Sequence, residues 1–82
     1  MATKHDVTDW VVSALKALGG RGSLVDVARE IWTHHESDLR ASGDLFFTWQ
    51  YDMRWSANVL RRKGTMKSAE VSRSGIWELA GT

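Results

Sequence analysis

The chain has 82 residues, with five Trp and no Cys. That length makes one domain, burying about 60% of the surface its unfolded form would expose, and the missing cysteines exclude disulfide staples and Cys-based zinc sites. The net charge of +1 conceals an asymmetry: residues 1–45 carry five Lys/Arg against seven Asp/Glu, and residues 46–82 carry six against three. A basic C-terminal half points modestly toward a polyanion on one face. Stability has to come from apolar packing, to which each large aromatic contributes about 150–250 Å² of buried area.

The first ten residues hold no long apolar run, so neither a signal peptide nor a membrane span is expected, and a cytoplasmic protein is. Val7, Trp10, Val11, Ala14, Leu15 and Leu18 fall at the 3/4 spacing of one helical face. The spacing predicts a helix from Asp6, as N-cap, to Leu18, stopped by Gly19-Gly20. The second helix is predicted from Ser23, where Ser23-Leu24-Val25-Asp26 forms a capping box with Asp in the place of Glu. Leu24, Val27, Ala28, Ile31 and Trp32 mark its apolar face, and it should run to His34 or His35. Gly22-Ser23 is a candidate for a short edge strand before it. Residues 36–45 are polar and read as a loop, with room for a helical turn around Ser37 to Ala41.

A third helix is predicted from Thr48, as N-cap, to just before Gly64. Trp49, Met53, Ser56, Ala57 and Leu60 share one face, and Arg61, Arg62 and Lys63 place three cations at the negative end of the helix dipole. The tail then changes period. Thr65 to Val71 and Ile76 to Ala80 read as two strands around the turn Ser72-Arg73-Ser74-Gly75, with Trp77 and Leu79 on one side. The fold class is α+β: three helices followed by a hairpin.

That order resembles a winged helix, a helix-turn-helix extended by a β-hairpin wing. Trp55, Leu60, the basic run Arg61 to Lys63, and Gly64 are similar to the third helix of the N-terminal winged-helix domain of Mrr-type restriction endonucleases. Ser72-Arg73-Ser74-Gly75-Ile76-Trp77-Glu78-Leu79 resembles that family's last strand. The stretch from Ala17-Leu18-Gly19-Gly20 to Val27-Ala28 resembles its opening helix-loop-helix. The resemblance spans most of residues 7–80 and implies a single winged-helix domain over 1–82, with an ordered core of about 6–80. Two departures stand out. The 82 residues hold no nuclease domain, and Thr65 stands where these domains carry an apolar residue, so Met66 is expected to take over the packing.

Phe46 to Trp55 holds five of the eight aromatics. Trp49 falls at helical spacing with Met53 and Leu60, and Phe46 and Phe47 precede the helix as a staple would, which favours core packing over a base-stacking platform, more often found on a sheet; whatever stays exposed would suit a partner surface. The opposite face of the third helix is the sharper site. Gln50, Arg54 and Asn58 are side-chain types that read purine edges bidentately in the major groove. Arg61 and Arg62, with Lys67 and Arg73 on the wing, are placed to hold phosphates. Asp52 on the same helix would oppose this. The expected partner is double-stranded DNA, for a regulator or a module of a restriction-like system. The alternative is a protein-interaction or dimerisation module of the same fold, working through Trp10, Trp32 or Tyr51. Asp26, Glu30 and His34 at i, i+4, i+8 offer two carboxylates and one His without a fourth ligand, and read as solvated helix surface. With no Gly-rich phosphate loop and no nucleophile–base pair, neither catalysis, a metal nor a cofactor is expected.

Overall fold

A computed structural model describes residues 2–68 and 75–80. Over these described residues it is an α+β domain of three helices and a small antiparallel sheet: α1 (Lys4–Ala17), β1 (Arg21–Ser23), α2 (Leu24–Arg40), α3 (Leu45–Lys63) and β2 (Ile76–Glu78).

Helix α1 begins two residues before the expected start. Thr3 is the N-cap, and Asp6 serves as the third residue of its capping box, accepting the Thr3 backbone N–H at 2.8 Å. The pattern Thr-x-x-Asp therefore overrides Asp6 as a cap. Val7, Val11, Ala14 and Leu15 are buried as the spacing requires. The helix closes with a Schellman motif: the Gly20 N–H reaches Leu15 O at 2.7 Å and the Gly19 N–H reaches Lys16 O at 3.2 Å, with Gly19 at φ 85°.

The chain then forms β1, and Ser23 ends it by capping α2. The Asp26 N–H donates to Ser23 Oγ at 3.1 Å, and the Ser23 N–H to Asp26 Oδ2 at 3.4 Å. Helix α2 does not stop at His35. It breaks locally there, at φ −130° and ψ 15°, and continues to Arg40. Of the expected loop 36–45, residues 36–40 are helical, in line with the helical turn expected around Ser37 to Ala41, and 41–44 form the turn before α3. Leu39 holds the helical part by being fully buried in the core, and Arg40 Nε donates to Glu36 Oε2 at 2.8 Å across one turn.

Helix α3 likewise starts earlier than expected. Thr48 is not its cap; the Thr48 hydroxyl donates to Asp52 at 2.9 Å inside the helix. Leu45 belongs to the buried face with Trp49, Met53, Ala57 and Leu60, so the packing period fixes the start. The helix ends in a second Schellman motif, Thr65 N–H to Leu60 O at 2.9 Å and Gly64 N–H to Arg61 O at 3.1 Å, with Gly64 at φ 82°.

The sheet ties the two ends of the fold together. Strand β2 pairs antiparallel with β1 in the register Arg21–Glu78, Gly22–Trp77 and Ser23–Ile76. On its other side lies the segment after α3, through a Met66–Leu79 bridge and a 2.9 Å bond from the Lys67 N–H to Glu78 O. Of the expected hairpin, the contact between 66–67 and 78–79 is present, and residues 69–74 lie outside the described residues. The main partner of β2 is β1, a pairing too distant in sequence for local periodicity to reveal. Met66, Trp77 and Leu79 are all buried, so Met66 does fill the place that Thr65 leaves open.

One core joins these elements. Trp49 and Trp77 are buried in it, while Trp10 and Trp32 pack against it half-buried. Two buried polar residues, Ser42 and Ser56, are hydrogen-bonded: the Ala2 N–H donates to Ser42 Oγ at 3.0 Å, and the Ser56 hydroxyl shares a 2.7 Å hydrogen bond with that of Thr8, joining α1 to α3.

Candidate nucleic-acid interface

An α-helix turns about 100° per residue, which places Phe47, Gln50, Tyr51, Arg54, Asn58, Arg61 and Arg62 on one stripe of α3. Opposite this stripe lie Trp49, Met53, Ser56 and Leu60, which are buried. The structure thus brings Gln50, Arg54 and Asn58 together along one exposed face at i, i+4, i+8, as the spacing requires, and all three are solvent-exposed. Asp52 falls about 160° from Arg54 around the helix and accepts the Thr48 hydroxyl. It therefore does not oppose an anion at the stripe.

The basic groups differ in how free they are. Arg54 is exposed and has no carboxylate partner among the described residues. Arg61 is half-buried, and its Nε is buried with no hydrogen-bond partner among the described residues. Arg62 is exposed, with its Nε 3.5 Å from the backbone oxygen of Asn58, a marginal contact that leaves its charge uncompensated. Lys67 is different: its Nζ pairs with Glu78 Oε2 at 3.3 Å on the neighbouring strand. That partner neutralises much of its charge, so Lys67 is a poor phosphate ligand as it stands. Arg73 lies outside the described residues.

The stripe also carries two aromatic rings: Phe47, which was expected to pack as a staple before the helix, and Tyr51, a candidate for a partner surface. Phe47 is 83% exposed and Tyr51 is 74% exposed. Beside Tyr51, at the start of α2, Val25 is 60% exposed. Val25 lines a groove between α2 and α3 together with Ala28, Gln50, Tyr51, Met53 and Arg54. A second depression shares Val25, Ala28 and Gln50 and extends to Arg29, Trp32 and Phe46. No carboxylate lines either one, and Arg29 is without a carboxylate partner among the described residues. The signal that could have found Phe47 was present: it stands seven residues before Arg54, and Tyr51 three, both in phase with Arg54 rather than with Trp49 and Met53.

Elsewhere, the spacing of Asp26, Glu30 and His34 resolves into two separate contacts. Asp26 is engaged in the Ser23 capping box, and His34 Nε2 meets Glu30 Oε1 at 2.9 Å. No group of three or more His, Asp or Glu placed to hold a metal ion occurs among the described residues. No helix among them is long and apolar enough to cross a membrane. Compared with known proteins, the chain matches no family model, no curated protein sequence and no solved structure.

Proposed function

We propose that this chain is a DNA-binding module of winged-helix type, with α3 in the major groove. The observation that carries the reading is the α3 stripe: Gln50, Arg54 and Asn58 exposed at successive turns, with Arg61 and Arg62 beyond them and no carboxylate among the stripe's residues. Arg, Asn and Gln offer the paired donors and acceptors that purine edges match. The placement of β1 between α1 and α2, paired with a strand that follows α3, supports the winged-helix arrangement. In this reading Gln50, Arg54 and Asn58 contact bases. Arg61, Arg62 and Arg73 contact phosphates, and Lys67 joins them only if it leaves Glu78.

Amide chemical-shift mapping against a mixed-sequence duplex at two salt concentrations tests this. Salt-sensitive shifts should concentrate on residues 50–62. With three phosphate contacts, log K should fall against log salt with a slope of about −2.7. Arg54→Ala should weaken binding and flatten its sequence preference, whereas Arg73→Ala should weaken all sequences alike. An absence of shifts at low salt, or unchanged affinity in both variants, would remove the reading.

The exposure of Phe47 and Tyr51 favours a second reading, a docking or dimerisation module. Trp10 and Trp32, the other candidates for such a surface, are half-buried, which leaves Tyr51 as its centre. A solution mass that rises with protein concentration and ignores added duplex would support it.

A further inference from the structure

We infer that Phe47 and Tyr51 form an apolar reading element that recognises the C5-methyl group of thymine in the major groove, beside the base that Arg54 contacts. The inference rests on the duplex-binding reading and adds a sequence preference to it.

Phe47 is not a loose surface side chain. It meets Phe46 edge-to-face, with centroids 5.1 Å apart and planes at 75°. Phe46 lies 6.3 Å from Trp32, and Trp32 stacks on the buried Trp49 at 6.0 Å. A chain of rings anchored in the core therefore holds Phe47 out into solvent. Tyr51 stands one turn further along the stripe, and Val25 closes the groove beside it. Keeping two rings uncovered on a face otherwise made of amide and guanidinium groups is unfavourable unless a ligand covers them.

The stripe's charge indicates which ligand. Arg54, Arg61 and Arg62 line it with no acid between them, so the complementary surface is anionic. Within the major groove of a duplex the thymine methyl is the apolar feature of the base edges, and Phe is among the side chains that contact it. From Phe47 to Arg54 is seven residues, about 10 Å of helix. That is the length of about three base-pair steps, so the methyl and the Arg54 contact fall within one half-site. The N-terminal part of a recognition helix is also the part that meets base edges, and Phe47 and Tyr51 are in that part of α3.

The test begins by selecting bound duplexes from a randomised pool with the whole chain. Thymines of the selected site are then replaced one at a time by deoxyuridine, which removes only the methyl. Fluorescence anisotropy at fixed salt should show about a fourfold loss per methyl at one or two positions. The Phe47→Ala/Tyr51→Ala double variant should lose that discrimination, binding the thymine and the uracil duplex with equal affinity whatever its overall affinity. Both rings are largely exposed, so the variant should keep its helical circular dichroism and melting temperature. A selected site without thymine, uracil tolerated at every position, or a loss that persists undiminished in the double variant would overturn the inference and leave duplex binding standing. No retention of any duplex at low salt would instead overturn the DNA reading beneath it.

Discussion

Trp10 and His35 stack with centroids 3.9 Å apart and planes at 8°, joining α1 to α2 where α2 breaks. Burial against the indole strips water from the imidazole and lowers its pKa from the ordinary 6.5. Asp38, whose carboxylate lies 4.0 Å from His35 Nδ1, pulls the other way, and the neighbouring His34 adds to the lowering. The folded value is below the unfolded one, so on acidification the unfolded chain takes up the proton first. The stability tied to neutral His35 is complete above the unfolded pKa and is lost as the pH falls through the folded one. Urea midpoints should therefore be lower at about pH 5.5 than at about pH 7.5. The drop should be smaller in His35→Phe, which keeps a stacked ring but cannot take a proton. An equal drop in that variant would assign the acid sensitivity to other groups.

At the level of elements, α2 depends on a cap that its own sequence announces. Ser23→Ala removes the oxygen that accepts the Asp26 N–H and should cost about 1 kcal/mol, seen as a lower denaturant midpoint at unchanged slope. Asp26→Ala should cost less, because the return bond is long, at 3.4 Å, and exposed. No difference from wild type in Ser23→Ala would mean that β1 alone holds the start of the helix. The capping box, both glycine stops and the apolar spacing of all three helices were legible because each is a local rule acting within four or five residues. The helical turn around Ser37 to Ala41 was expected, but not that it continues α2 past His35, since Leu39 is its only buried side chain beyond the break and polar residues surround it. The same limit applied to the site. The spacing of Gln50, Arg54 and Asn58 could be read directly, and Tyr51 was a candidate for a partner surface, whereas Phe47 was expected to pack as a staple because the helix was expected to start only at Thr48; with α3 starting at Leu45, its phase puts it on the open face. That Glu78 would neutralise Lys67 depended on a pairing between strands, which no local pattern encodes.

For the molecule as a whole, the deciding contact is the return of the chain to β1. The radius of gyration is 12.0 Å, close to the value of about 12 Å expected for a single compact unit of this length. A chain this size has a total stability of about 4–12 kcal/mol. Trp77 is buried opposite Gly22 in the sheet, and on the other side of β2 the bridge from Leu79 holds Met66 in the core. Met66 in turn bonds back to the last turn of α3 through its N–H to Leu60 O at 3.2 Å. The strand thus supports the helix that carries the proposed reading face. Trp77→Ala should cost about 3–5 kcal/mol, a large fraction of that total. Far-UV and near-UV circular dichroism should then lose signal together in one transition, at a markedly lower temperature than in the wild type. If the variant kept its full helical signal and its melting temperature, β2 would be an appendage, and α3 would be positioned by α1 and α2 alone. Duplex binding by that variant at a temperature where it remains folded separates the two cases again: weakened binding means that the strand sets the orientation of α3, and unchanged binding means that it supplies stability only.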